Sequence, residues 1–595
     1  MTVSSRRRNL CALPALVVLA VFLAACAKIP ISPTPPYPSR TRDYTYPTPP
    51  PSQPPWQDPQ DYPYVTITAP LDGAFVAAGE VTVTGTYAGP AVQTLTLNDN
   101  AITVSGGQFS ATVTVGEDDV NFPIVVMATT TNGKVSSDRV TVWRGQVATA
   151  DSPVDYALLV DLENRGLDNV SSFLSAALSG RDITQLLNNL INPPLQKKPY
   201  ADVVVIDKAL IQGFSLLLQA QADGLHLNLT ASVTIDLTLF GVYPLTIDLE
   251  GVTADLLTNL TVDVNNKLVF DIISGTFNIA QVNLSGPLIP PFIGDLISLL
   301  SGTLWDLLLK NLVVTELNSL LGGLTINLNV GGATIGLLPA STLLTAHDFA
   351  LAFDTTAALP ADWQPGIQPD GFLVTPSTPP TFNETTPNGD LPYGVAVALN
   401  DDIVNQLLYL LAASGGLNLD LQDPILTAEL LSVIFFSFEN IDPHTPVIVQ
   451  FRPTVAPVVV GNADGDMELR LPAYTGYVMV DRGADGLWEA LSFAVDLTAS
   501  TKLLVTAQNT ITLDLSGLGI AINVIHNPVG QANIPNINHL LAEVFDAVLP
   551  DLLGQLVGSM EITIPEIGNL NLNIPEIGAI GPNYDYLGLF IDLIY

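Results

Sequence analysis

Few residues in this chain have types and spacings that could do chemistry. The five histidines, His226, His347, His444, His526 and His539, show no ligand spacing, and the nearest pair, His526 and His539, reads as structural. No G-x-S-x-G elbow, HExxH, C-x-x-C, Walker or GxGxxG signature occurs. The chain is therefore expected not to be an enzyme, and to use no cofactor and no metal. Two acidic loops come closest to a site: "GNADGDME", with Asn462, Asp464 and Asp466, and "DRGADGLWE", with Asp481 and Asp485. Oxygen ligands two residues apart around a Gly suit calcium. Asp-Gly pairs also turn hairpins, however, and no bidentate Glu stands at the twelfth loop position, so turns are the expectation. The remaining reactive residue is Cys26, since Cys11 is the only other cysteine.

The context of Cys26 is an export signal. "MTVSSRRRNLCALPALVVLAVFLAAC" has a basic start at Arg6 to Arg8, an apolar run from Leu10 to Ala25, and small residues before the Cys. Leu23-Ala24-Ala25-Cys26 resembles the lipobox of bacterial lipoproteins, which implies that Cys26 becomes the lipid-bearing first residue after cleavage. Cys11 leaves with the signal, so Cys26 is expected to carry a lipid and no disulfide can form. Ala27 stands where inner-membrane retention would usually show Asp, so the resemblance implies an outer-membrane lipoprotein, facing the periplasm or the cell surface.

Of 595 residues, 48% are hydrophobic and 13% charged, with a formal charge of −37. The signal takes three of the 20 basic residues and none of the 57 acidic ones; 17 against 57 leaves −40. Such a field repels nucleic acid and anionic membrane surfaces, so lipid contact must be mainly apolar.

The elements follow in order. Residues 1–25 read as the signal peptide and 26–63 as a Pro-rich linker, because "IPISPTPPYPSRTRDYTYPTPPPSQPPWQDPQDYP" can form neither helix nor paired strand and is expected to be extended polyproline II. Residues 64–145 give short alternating strands separated by turn residues, the spacing of a β-sandwich. They resemble a bacterial immunoglobulin-like domain acting as a spacer or docking module. Beyond them, "GLHLNLTASVTIDLTL" puts Leu225, Leu227, Leu229, Ala231, Val233, Ile235, Leu237 and Leu239 on one face, a strand of roughly 50 Å. A sheet of such strands with one apolar face must curl around something. "PPFIGDLISLLSGTLWDLLLKNLVVTELNSLLGGL", Pro290 to Leu324, has a helical pattern whose charges recur too often for a membrane span. The same order recurs later. A second meander, "VIVQFRPTVAPVVV", "DMELRLPAYTGYVMV", "LWEALSFAVDLTASTKLLV" and "NTITLDLSGLGIAINVI", leads into "NIPNINHLLAEVFDAVLPDLLGQLVGSMEITIPEIGNLNLNI". Each half opens with a shorter helix, in "SSFLSAALSGRDITQLLNNLI" (Ser171 to Ile191) and in "ALNDDIVNQLLYLLAASGGLNLDL".

These stretches resemble the bactericidal/permeability-increasing protein and lipopolysaccharide-binding protein group of the tubular lipid-binding superfamily. The last quoted stretch carries the most specific likeness, followed by "VIVQFRPTVAPVVV" and the closing "ITIPEIGNLNLNIPEIGAIGPNYDYLGLFIDL"; the resemblance covers about Asp155 to Tyr595. It implies an α+β chain: the β-sandwich, then an elongated two-barrel tubular fold in which each curled antiparallel sheet wraps on a long helix. The barrels are expected at 146–356 and 393–595, joined by a Pro-rich crossover at 357–392. Acyl chains are expected in apolar grooves lined by Leu296, Leu300, Leu304, Leu307 and Leu308 of the first long helix and by Leu541, Val544, Phe545, Val548 and Leu552 of the second. Two departures matter. The disulfide common in the family's first barrel has no cysteines here, and the basic tip of lipopolysaccharide binders is replaced by a strongly acidic chain.

The expected function is that of a lipid-binding or lipid-transfer lipoprotein whose partners are a phospholipid or other acyl lipid, the membrane through its anchor, and a protein met by the immunoglobulin-like domain, with no nucleic acid. The rival is a surface adhesion or assembly lipoprotein in which the tubular part is a stalk. An outer-membrane β-barrel would also alternate, but the lipid tether and the interspersed helices argue against it.

Overall fold

The computed structural model describes residues 63–594 apart from 90, 104, 117–119, 181, 186, 188–203, 296, 299–300, 302–325, 368, 376, 422–443, 463–465, 482–486, 506–509, 515–518, 527–561 and 564–570. Seven strands come first: β1 (Tyr64–Ala69), β2 (Gly79–Ala88), β3 (Val92–Leu97), β4 (Asn100–Ile102), β5 (Gln108–Val115), β6 (Asn121–Thr130) and β7 (Val135–Trp143). They form two antiparallel sheets, β1-β2-β5 and β4-β3-β6-β7. Val83, Leu95, Leu97, Ile124, Val126 and Val142 fill the space between them. Alternation along each strand puts these residues inward and the threonines outward, which makes a β-sandwich. The sandwich is docked on the rest of the chain. Arg139 is ion-paired with Asp496, and Trp143 packs with Leu373, Val455 and Val458.

The strands that follow are β8 (Gln146–Ala148), β9 (Leu158–Glu163), β10 (Val204–Gln221), β11 (Gly224–Leu239), β12 (Tyr243–Val262), β13 (Leu268–Ser285), β14 (Ile326–Val330), β15 (Ala333–Leu344), β16 (Asp348–Ala358), β17 (Phe372–Val374) and β18 (Val395–Asn400). Then come β19 (Leu419–Leu421), β20 (Val447–Pro453), β21 (Val458–Gly461), β22 (Met467–Asp481), β23 (Leu487–Val505), β24 (Thr510–Asp514), β25 (Gly519–His526), β26 (Ile562–Thr563), β27 (Asn571–Ile580) and β28 (Tyr586–Ile594). Two helices interrupt them, α1 (Asn164–Leu178) and α2 (Asp401–Ala413), of 15 and 13 residues. Helical backbone is also described at Ile293–Asp295, Ile297, Ser298 and Ser301. No described helix is long and apolar enough to cross a membrane.

The α+β expectation, with each sheet wrapped on a long helix, is corrected by this inventory: the described fold is mainly antiparallel β, and its named helices are short. The remainder of the stretches read as long helices, Pro290 to Leu324 and Asn533 to Met560, lies outside the described residues, as do the signal peptide and most of the linker.

Strands from both halves of the sequence share one sheet, of order β14-β15-β16-β9-β18-β28-β27. At its centre β9 pairs antiparallel with β18, Leu158 opposite Leu399 and Leu162 opposite Val395. Each of these two strands runs straight into a helix, β9 into α1 and β18 into α2, so the centre is a pair of strand–helix units facing in opposite directions. They meet closely: a Cβ added to Gly166 would stand 1.9 Å from the Gly394 carbonyl oxygen. Strands from the two stretches expected as separate barrels thus share one sheet.

Helix α2 answers for the greasy run in an acidic chain. Asn400 caps it by accepting from the Asp402 N–H at 2.8 Å. It is covered nearly all round, with Ile403, Tyr409, Leu410 and Leu411 buried among β14, β17, β18 and β21. Its polar residues are taken up by neighbouring backbone. Asn405 accepts from the Val459 N–H at 2.7 Å, and Gln406 donates to the Ala150 and Ser152 carbonyls at 3.1 and 2.9 Å. At its start Asp402 accepts from the Thr375 N–H, and burial pushes its carboxyl up to about 7; burial also raises Asp401 and Asp585 beside it.

Candidate functional site

The four-stranded sheet β10-β11-β12-β13 has strands of 18, 16, 20 and 18 residues, against five or six in an ordinary strand. Alternation makes one face apolar. Its outer face carries Thr–Asp rungs, Thr234 donating to Asp248 and Thr246 to Asp236, both at 2.8 Å. Bulges at Ile206/Lys208, at Gln212/Ser215 and at Glu250/Gly251, across from Ser232, put extra residues into the strands. Gly213 (φ 56°) and Gly251 (φ 59°) supply the left-handed backbone that two of them need. A bulged strand bends and twists more, and this curls the sheet.

The two edges are treated differently. Along β10 the free N–H groups are satisfied by side chains: Ala220 N–H by Asn164 Oδ1 at 2.7 Å, Leu218 by Ser171 Oγ at 2.8 Å, Leu216 by Ser175 Oγ at 2.7 Å and Ala209 by Thr184 Oγ1 at 2.8 Å. Three of these four acceptors lie in α1, which is laid along the edge as a cover. Among the described residues no strand pairs with the outer edge of β13.

The inner face follows the same asymmetry. On β11 and β12 the inward side chains, Leu227 and Leu229 or Ile247 and Leu249 for example, are fully covered by protein. On β13, Ile272, Phe277, Ile279, Val282 and Leu284 are only half covered. They share the inner face, because Phe277 stands opposite Ala254, Ile279 opposite Val252, Val282 opposite Leu249 and Leu284 opposite Ile247. An apolar strip therefore runs along the edge.

The strip ends at an exposed apolar tip. The β11–β12 turn presents Phe240, Val242 and Tyr243, and the chain leaving β13 presents Leu288 and Ile289, all of them exposed. The two segments meet there: the Phe240 and Phe292 rings lie edge to face at 6.3 Å, and a Cβ on Gly286 would come within 2.8 Å of the Pro244 carbonyl oxygen. No charged residue occurs between Leu237 and Ile247, nor between Asn283 and Gly294. On a chain of formal charge −37 this is a neutral, greasy point.

The groove residues expected from sequence, Leu296, Leu300, Leu304, Leu307, Leu308, Leu541, Val544, Phe545, Val548 and Leu552, and the lipid-bearing Cys26, all lie outside the described residues. Of the acidic loops, Asn462 and Asp466 close on each other, Asp466 N–H donating to Asn462 Oδ1 at 3.1 Å and Asn462 N–H to the Asp466 carbonyl at 2.9 Å, as in a hairpin turn. The tip and the β13 strip were missed in the sequence. Their signal was the two charge-free runs flanking the long strands.

Among known proteins, the family profile "Glucodextranase, domain B" matches residues 63–146, the sandwich. No curated protein matches the chain. Similar solved structures include lipopolysaccharide binding protein, 14% identical, covering 74% of this chain and 100% of that chain with a TM-score of 0.37. A modular endo-beta-1,4-mannanase from Cellulomonas fimi is 25% identical over 14% of this chain and 18% of its own, with a TM-score of 0.12. The fibronectin(III)-like modules of Clostridium thermocellum CbhA are 10% identical, over 38% and 92%, with a TM-score of 0.13. With TM-scores this low, none of the three fixes a fold or a ligand for this chain.

Proposed function

We propose that the protein binds acyl lipid along the inner face of β13 and meets the membrane with the apolar tip. The observation that carries this reading is the half-covered strip Phe277–Ile279–Val282–Leu284, which lies beside an edge left open among the described residues and ends in a charge-free exposed tip. A monomeric soluble protein rarely leaves such a continuous apolar surface without a partner.

The chemistry needs no catalytic group. Each CH₂ moved out of water gains about 0.8 kcal/mol, and a bilayer offers an acyl chain nearly the same environment. Transfer between bilayer and protein is then close to neutral, and the strip serves to lower the barrier set by exposure of the chain to water. An acidic surface repels anionic membranes, so docking rests on the neutral tip. Lipidation at Cys26 and outer-membrane anchoring belong to the same reading: a tethered carrier searches only the membrane within reach of its linker.

Binding of a fluorescent phosphatidylcholine to the full chain tests the strip. Ile279→Glu, at a half-covered position on the strip, is expected to weaken binding at least tenfold with an unchanged circular dichroism spectrum. Equal binding by the variant would refute the placement.

A further inference from the structure

On the face of the shared sheet turned away from the main core, three carboxylates converge with no ion-pair partner among the described residues; the nearby His347 faces Glu384 at 3.2 Å. Asp161 and Glu163 lie on β9, and Asp348 opens β16 directly opposite Glu163. All three are buried, and one oxygen of each lies within 4.8 Å of the others. Asp161 is flanked on both neighbouring strands by the smallest apolar side chain, Ala350 and Ala396. The Tyr393 hydroxyl covers it, itself bonded to the Asn383 carbonyl of the crossover.

The hydrogen bonding leaves this cluster short of donors. A tyrosine has one hydroxyl proton, and that of Tyr393 is directed to the Asn383 carbonyl at 2.6 Å. The Asp161 Oδ2 and Glu163 Oε1 atoms stand further from the same hydroxyl, at 3.3 and 3.5 Å. Asp161 Oδ1 has no partner at all, although Asp161 is 0% exposed. Glu163 sits at the N-cap of α1 yet makes no side-chain capping bond, so its carboxylate is turned to the cluster and not to the helix. Asp348 has a donor of its own, the Thr345 hydroxyl, whereas Asp161 and Glu163 share the single Tyr393 hydroxyl at long range. The cationic Arg165 is engaged bidentately with Asp592, at 2.7 and 2.8 Å. Burial first, then repulsion from Asp348, pushes Glu163 up to about 7, and both raise Asp161.

A buried carboxylate takes up a proton unless a partner or a metal ion holds its charge, so the raised values are those of the ion-free cluster and a bound cation would reverse them. We propose that Asp161, Glu163 and Asp348 bind a divalent, oxygen-preferring cation, calcium, which staples β9 and β16 at the start of α1. The all-oxygen donor set suits calcium or magnesium, while zinc prefers nitrogen and sulfur. Burial favours calcium, because magnesium dehydrates reluctantly and usually keeps several waters, whereas calcium accepts a cage of protein oxygens. The three oxygens all lie within 4.8 Å of one another, and the Tyr393 hydroxyl oxygen, 3.3 Å from Asp161 and 3.5 Å from Glu163, is within reach as a further ligand.

The test uses the full chain after treatment with a chelator. Calcium chloride, titrated through about 0.1–1 mM, the range of extracellular calcium modules, is expected to raise the melting temperature by several degrees, with magnesium chloride doing less. Calorimetry should give one calcium per chain. Asp161→Asn and Asp348→Asn should each abolish the shift, and Tyr393→Phe should reduce tyrosine-sensitised terbium emission from the wild-type level. Asp161→Asn supplies an amide where a donor is lacking, so a stable variant is expected in calcium-free buffer. No calcium shift in the wild type overturns the proposal, as does a shift of equal size in both asparagine variants. Should neither variant fold, wild-type stoichiometry and the terbium response of Tyr393→Phe decide.

Discussion

Val242→Asp tests the proposed docking of the apolar tip on a membrane. The five tip residues Phe240, Val242, Tyr243, Leu288 and Ile289 are 48%, 69%, 44%, 40% and 53% exposed. Together they expose the equivalent of about two and a half side chains; at about 1.5–3 kcal/mol per fully buried side chain, sinking the tip into hydrocarbon gains ~4–7 kcal/mol before the cost of association. Val242 supplies roughly 1–2 kcal/mol of this by its exposure. An aspartate there also brings a charge that must stay hydrated, so the total loss is at least about 2 kcal/mol, or roughly thirtyfold in partitioning. The turn itself should survive, since its Val242 N–H to Leu239 carbonyl bond, 3.1 Å, involves only backbone. The assay is flotation of the full chain with phosphatidylcholine vesicles, zwitterionic so that net charge does not decide the result. Val264→Asp is the control: Val264 is 98% exposed in the β12–β13 turn at the other end of the same sheet, and its variant should partition like the wild type. Partitioning of Val242→Asp within twofold of wild type, or an equal loss in Val264→Asp, would refute the reasoning.

Two further outcomes probe the frame. Gly166→Ala would push a methyl group into the Gly394 carbonyl, so the β9–β18 centre must separate; a loss of about 2–4 kcal/mol in urea unfolding is expected, of the size seen for overpacking and backbone strain, and an unchanged midpoint would contradict the shared sheet. Asp402 has a folded-state carboxyl raised to about 7 by burial. The folded state therefore binds more protons than the unfolded one between about pH 4 and 7, and stability falls as pH rises through that window, by at most about 4 kcal/mol, then levels off. Asp402→Asn should flatten the slope measured by urea unfolding at a series of pH values; the same slope in both proteins would show that Asp402 is not its source.

Parts of this fold were plain in the sequence because their causes are local. Alternation from Leu225 to Leu239 marks β11, which spans Gly224–Leu239, and Asn400 before Asp401-Asp402 marks the start of α2 through a cap that acts within two residues. Helix α1 begins at Asn164 and not near Ser171, since its N-cap Glu163 makes no capping bond and so left no signal. What sequence pattern could not show is non-local. The pairing of β9 with β18 joins residues more than two hundred positions apart, and the capping of β10 by Asn164, Ser171 and Ser175 looks in sequence like ordinary polar helix surface. The α+β reading gave weight to long helical periodicities, whereas the described residues place their apolar surface mainly in strands. The acidic cluster was hidden for the same reason, because Asp161 and Glu163 meet Asp348 only once the sheet has formed.

The central claim is that hydrocarbon occupies the strip along β13. The most direct measurement is organic-solvent extraction and mass spectrometry of the full chain purified from its native cells and washed free of detergent and membrane. Acyl lipid near one or more molecules per chain, beyond any lipid covalently attached at Cys26, is the expected result. A monomeric chain that releases no stoichiometric lipid would contradict the account and favour the stalk.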